Sequence, residues 1–212
     1  MSIKDSGFFY ELFKNNTETE GFNLDKFEQL KEMMKKSGAH LEGHFRLSSG
    51  LHSGNYMQCA RLLAIPEYAA FAGELLADKL RECKPDFVTA PAIGGLIIGH
   101  EVARALNIPF LFCERDDTRE MKIRRFELPV NSSAVVIEDV ITTGGSTMEV
   151  GKVLLQNGIK WCGTGVIVNR SGGKHELPHQ PVSLWDVNFE TWQPENCPLC
   201  AQGLPVTKPG SR

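Results

Sequence analysis

The chain has 212 residues, 42% of them apolar and 23% charged, with a formal net charge of −3. These values suit one globular domain with a real core and give no electrostatic case for nucleic acid or a membrane surface as partner. No apolar run approaches the ~18 residues of a membrane span, and the N-terminal residues lack a secretory pattern. Six cysteines, four of them isolated (Cys59, Cys83, Cys113, Cys162), fit the reduced thiols of a cytoplasmic protein better than a disulfide framework.

In chain order, residues 1–22 form a polar lead, expected to be partly disordered. From Leu24 to Lys36 the apolar residues Leu24, Phe27, Leu30, Met33 and Met34 share one helical face, with Gly38 as a stop. Residues 44–58 are turn-rich and read as a short strand, a loop and a second strand. Pro66 opens a helix to about Cys83. An alternation of strands and helices follows: strand Phe87–Ala90, helix Gly95–Leu106, strand Phe110–Cys113, the charged segment Glu114–Arg125, a strand from Val135, helix Thr147–Gln156 and strand Gly163–Val168. Val182–Leu184 adds an edge strand. The order predicts a single α/β domain over 1–212, built on a parallel sheet of about five strands with helices on both faces. Within it, 40–60 is a small N-terminal segment, 86–173 the core and 187–212 a tail rich in Pro, Gly and Cys.

The most informative stretch is Val135–Thr147, VVIEDVITTGGST. An unbroken apolar run meets two adjacent carboxylates, then a Thr/Gly/Ser loop, then helical periodicity. A buried parallel strand feeding a βα turn has this form, and its carboxyl end is where open α/β sheets bind ligands. Glu138 and Asp139 can accept from sugar hydroxyls. Thr142, Thr143, Gly144, Gly145 and Ser146 offer hydroxyls, backbone N–H groups and a helix N-terminus to a phosphate. The chain has no G-x-x-x-x-G-K-[ST] phosphate loop, and Gly94, Gly95 and Gly99 do not spell a dinucleotide fingerprint. A second turn, Pro91-Ala92-Ile93-Gly94-Gly95, follows the preceding strand and can present N–H groups to a second anion.

Two further segments invite a functional reading. The cations Arg115, Arg119, Lys122, Arg124 and Arg125 crowd 114–125. Such a run reads as a solvated face or as a lid over an anionic substrate. The tail pair Cys197-Pro198-Leu199-Cys200 reads as a packed, reduced tail in preference to zinc. A zinc site needs four ligands, and the nearest candidates in sequence are His175 and His179.

The thirteen-residue motif resembles the phosphoribosyl-diphosphate (PRPP) signature of the type I phosphoribosyltransferases. Residues 43–56, with the pattern G-x-F-x-L-x-S-G-x-x-S-x-x-Y, are similar to the N-terminal hood of the orotate phosphoribosyltransferases. The resemblance spans about 40–173 and implies a type I phosphoribosyltransferase-like fold with a hood. It further implies PRPP and orotate as substrates, Mg²⁺ carried mainly on PRPP without a protein cage, and a homodimer whose lid covers the neighbouring site. PRPP would lie on Glu138, Asp139, Val140, Ile141, Thr142, Thr143, Gly144, Gly145, Ser146, Arg115, Ala92 and Gly94. Orotate would lie on Thr142, Arg170, Ser49 and Tyr56. Asp139, Glu138, Lys122 and Arg119 would serve the chemistry. The sequence departs from many relatives at Ser48, where they carry lysine, and in a shorter lid segment that has Asp116 and Asp117 but no histidine. A purine phosphoribosyltransferase and a non-catalytic PRPP sensor are the rival readings.

Overall fold

The computed structural model describes residues 20–47 and 49–209. The polar lead up to residue 19, and Ser48, lie outside the described residues. Helix α1 (Glu20–Lys36) buries Leu30 and Met34 completely, and Lys35 and Lys36 suit the negative end of its dipole. Gly38, at φ +69°, turns the chain out of the helix. Strands β1 (His40–Arg46) and β2 (His52–Met57) pair antiparallel, so the first strand begins before the expected turn-rich segment. A five-residue helix, α2 (Cys59–Leu63), follows; it is too short to leave a periodic signal. Helix α3 (Pro66–Leu80) starts on its proline and gives way to a 3₁₀ turn at Arg81–Cys83, so the regular helix ends slightly earlier than predicted.

The alternating core comprises β3 (Phe87–Pro91), α4 (Gly95–Leu106), β4 (Phe110–Arg115), β5 (Met121–Lys122), β6 (Ser133–Ile141), α5 (Gly145–Gln156), β7 (Lys160–Asn169) and β8 (Val182–Asp186). After β8 come β9 (Thr191–Trp192) and the one-turn α6 (Pro198–Ala201). The main sheet has the order β5-β4-β3-β6-β7-β8, and β9 joins β2 in a separate three-stranded sheet, the hood. Strands β4, β3, β6, β7 and β8 are parallel, as predicted, and the two-residue β5 adds antiparallel to β4.

Side-chain alternation along β6 splits the core into two layers. Val135 and Ile137 face the layer that holds Leu30, Leu62, Leu76 and Ile98. Ala134 and Val136 face the layer that holds Val150, Leu154 and Trp161. The strand is therefore buried on both sides, which is why its sequence is a continuous apolar run. Helix α5 can lie against β7 only because Gly151 has no side chain: a Cβ there would fall inside the Trp161 ring's contact distance. The Trp161 indole is fixed in turn, donating to the Gly163 carbonyl at 3.0 Å and the Thr164 hydroxyl at 3.1 Å.

Gly151→Ala is therefore expected to lower stability by about 1–3 kcal/mol through overpacking, whereas the exposed Lys152→Ala should stay within about 0.5 kcal/mol. Urea unfolding of both variants reads this as a lower midpoint at unchanged slope for Gly151→Ala alone.

Candidate active site

The strand order reverses between β3 and β6. From β3 the chain crosses through α4 to β4 on one side, and from β6 it crosses through α5 to β7 on the other. The carboxyl ends of β3 and β6 therefore border the crevice that such a switch leaves open. Both sequence motifs end there: the 92–94 turn leaves β3, and the acid pair with its loop leaves β6.

The two turns meet at Asp139. A Cβ on Gly94 would lie 2.7 Å from Asp139 Oδ1, so only glycine lets the β3 turn come this close. One on Gly95 would lie 2.8 Å from the Ile137 carbonyl, which explains the second glycine as a packing requirement of α4 on β6. The Ala92–Ile93 peptide bond is cis, and the Ala92 N–H donates to the Cys113 carbonyl at 2.7 Å, tying the turn to β4.

Glu138 is 8% exposed. Burial, then the neighbouring Asp139 charge, push its carboxyl up to about 8, against an opposing hydrogen bond from Thr147. Burial also raises Asp139, which accepts from the Val140 N–H at 2.9 Å. The two adjacent carboxyls titrate as a pair, and burial disfavours the charged form of both.

Beyond the acids, Gly144 sits at φ +83° and lets the chain turn into α5. No side chain caps that helix, and Thr142, Thr143, Gly145 and Ser146 are exposed. A helix start of this kind offers unsatisfied N–H groups and the positive dipole end to an anion. Arg170 follows β7, and its N–H donates to the Ile141 carbonyl at 2.7 Å. The thiol of Cys59, at the start of α2, lies within electrostatic reach of two site residues. Burial raises it well above the ordinary value, the Asp139 charge adds to that, and Arg170 opposes it. Cys59 thus lies in the core beneath the site, a position no local sequence signal marks.

The remaining predicted residues are set apart. Ser49 is exposed in the β1–β2 turn, and Tyr56 is half-buried with its ring 5.8 Å from Phe45. Among the described residues, no hydrogen bond joins either to Glu138, Asp139 or Arg170. The charged segment is a folded β4–β5 hairpin with most charges matched. Arg115 pairs with Glu149 at 2.8 Å, Lys122 with Asp116 at 2.6 Å and Glu120 at 2.9 Å, and Arg124 and Arg125 with Glu114 at 3.4 and 2.9 Å. Among the described residues, Arg119 is the one cation of this group that no ion pair holds. The hairpin and α5 enclose a cleft of about 590 Å³ lined by Arg115, Lys122, Glu149 and Lys152, and neither Glu138 nor Asp139 reaches it.

The acid pair and the uncapped start of α5 lie together at the switch-point crevice. Residues 58–196 match the phosphoribosyl transferase domain, and the chain belongs to that family. It is 44% identical over 185 residues to the orotate phosphoribosyltransferase of Desulforamulus reducens, covering 87% of this chain and 97% of that one. It is 48% identical over 186 residues to the orotate phosphoribosyltransferase of Carboxydothermus hydrogenoformans, covering 86% and 97% respectively. Among solved structures it is similar to orotate phosphoribosyltransferase from Aeropyrum pernix, with a TM-score of 0.65, 29% identity and coverage of 74% of this chain and 93% of that one.

The raised carboxyl of Glu138 sets a pH dependence. A folded-state value above the unfolded one means the folded chain holds the extra proton, so stability declines as pH climbs from about 4.5 to about 8. Glu138→Gln removes that decline. The variant should gain on the wild type by a few kcal/mol at about pH 8 and by much less at about pH 5. Thermal melts at both pH values check this; an equal gain at each would contradict the assignment.

Proposed function

We propose that the protein is an orotate phosphoribosyltransferase. It would transfer the 5-phosphoribosyl group of PRPP to orotate, giving orotidine 5′-monophosphate and pyrophosphate in pyrimidine synthesis. The observation that carries this reading is the meeting of two anion-receptive turns at one acid pair, with Gly94 against Asp139 and the uncapped start of α5 next in the chain. Orotate is favoured over a purine because the similarity to orotate enzymes spans the hood as well as the signature.

In this reading the 142–146 loop holds the 5-phosphate, so binding energy far from the anomeric carbon positions that carbon for reaction. The 92–94 turn receives the pyrophosphate. Glu138 and Asp139 take the ribose hydroxyls and put negative charge beside the oxocarbenium-like centre that forms as the bond to pyrophosphate breaks. Arg170 and Thr142 hold the base, the planar guanidinium matching a carboxylate or carbonyl edge. Orotate arrives as an anion, so no strong general base is needed. Magnesium would be carried mainly on PRPP oxygens and waters without a protein cage, and would neutralise the departing pyrophosphate.

The working unit is a homodimer in the cytoplasm, where the free cysteines stay reduced. The charged hairpin of one subunit covers its neighbour's site. Arg119 is the cation best able to engage pyrophosphate, because Lys122 must first give up Asp116 and Glu120.

The direct test follows orotate absorbance with PRPP and Mg²⁺, beside adenine, hypoxanthine and uracil. Consumption of orotate alone is expected; turnover of a purine would discard the base assignment. Asp139→Asn should retain the fold by circular dichroism and lose roughly 10²–10³-fold in kcat/KM. Arg119→Ala should lower kcat more than PRPP affinity, and Lys122→Ala should do so to a smaller degree. Unchanged rates in both would make the hairpin only a solvated face.

A further inference from the structure

The hood and the tail converge on four side chains that the phosphoribosyl site does not use. His44 lies on β1 and His52 on β2, and Cys197 and Cys200 bracket the first turn of α6. Each offers a ligand atom, and all four atoms lie within 4.8 Å of one another. His44 Nε2 is 2.9 Å from His52 Nδ1, 3.5 Å from Cys197 Sγ and 3.7 Å from Cys200 Sγ, and Cys200 Sγ is 3.3 Å from His52 Nδ1. Tetrahedral zinc with ordinary bond lengths separates its ligands by about 3.3 Å for two nitrogens and about 3.8 Å for two sulfurs. His44, His52 and Cys197 are buried, while Cys200 forms the solvent edge of the cluster.

We propose that His44, His52, Cys197 and Cys200 form a structural zinc site that clamps the C-terminal tail to the hood. The surrounding hydrogen bonds suit a metal ligand. The Leu204 carbonyl lies 2.8 Å from His44 Nδ1, which keeps the proton there and turns the Nε2 lone pair toward the cluster. Two backbone bonds set the register of tail on hood, Thr207 N–H to the His44 carbonyl and Arg46 N–H to the Thr207 carbonyl, each at 2.8 Å. Residues 201–208 are nonetheless all exposed, so apolar burial does little to hold this segment. A metal clamp supplies what the packing lacks. Its ligands His44 and His52 also stand at the two ends of the hood turn that carries Ser49, so the clamp fixes the geometry of that turn.

The sequence-based partners of the Cys pair are corrected here. His175 bonds to Gln180 at 3.1 Å. His179 is half-buried against Trp161, bonds to Thr164 at 2.9 Å and is pushed down to about 4 by burial and then by His175. Neither reaches the cysteines; of the tail, Cys197 is buried while 201–208 are exposed.

The test is metal analysis of the purified full-length protein, with cobalt substitution as its spectroscopic partner. Zinc is expected at one equivalent per chain. The cobalt form should show a thiolate charge-transfer band and the intense visible bands of a tetrahedral centre. Cys200→Ser, at the exposed edge, and His52→Ala should each lose the stoichiometric metal, while Cys83→Ser and His175→Ala keep it. Chelation should make the tail cleavable by protease at 201–208. A well-folded protein that takes up no zinc when it is supplied would overturn the proposal. So would retention of full metal content in both Cys200→Ser and His52→Ala, or a Cys197–Cys200 disulfide in protein purified under reducing conditions.

Discussion

Two adjacent carboxylates, desolvated at the carboxyl end of a central strand, are the constraint around which the structure is arranged. Glu138 and Asp139 stand where β3 and β6 diverge, in the crevice created by the reversal of strand order. Their burial is unfavourable to the free protein, and a proton on Glu138 relieves it. The neighbouring features follow from this placement. Gly94 leaves room for Asp139, Thr147 in the first turn of α5 opposes the rise of Glu138, and Gly144 at positive φ turns the chain into that helix. A cationic or hydroxyl-rich ligand restores the interactions that burial removed. In the proposed function, the same unfavourable arrangement would be the means of recognising the ribose of PRPP.

The peripheral elements are governed by different physics. The β4–β5 hairpin neutralises its own charges through exposed ion pairs, each worth little to stability and each exchangeable for a pair with an anionic ligand. The hood and tail are thin layers with few buried apolar residues beyond Phe45 and Met57. They hold together through main-chain pairing and through the convergence of two histidines and two cysteines.

The parts legible in the sequence are those whose signal is local. A buried parallel strand reads as an apolar run, and Val135–Ile137 lies on both core layers for that reason. The acid pair, the loop and α5 follow within a dozen residues, so motif and geometry coincide. The edge strand β8 and the stop at Gly38 were legible for similar reasons. Relationships made by folding were not. Helix α2 is shorter than a period can reveal, and its Cys59 comes within electrostatic reach of Asp139 and Arg170 only in three dimensions. The charge run gave no hint that Glu114 takes Arg124 and Arg125 while, among the described residues, Arg119 has no ion pair. Cys197 and His44 are 153 residues apart, whereas His175 and His179 are near in sequence and bound elsewhere. Proximity along the chain pointed to the wrong histidines.

The central claim, that PRPP is bound at the buried Glu138–Asp139 pair and draws both carboxyls into their charged form, is tested most directly by calorimetric titration of PRPP with Mg²⁺ at about pH 7. Buffers of different ionisation heat turn the heats into a count of protons exchanged. The account predicts tight binding with proton release, and loss of most of that release in Glu138→Gln. Binding that releases as many protons from the variant as from the wild type would contradict it, as would no binding of PRPP at all.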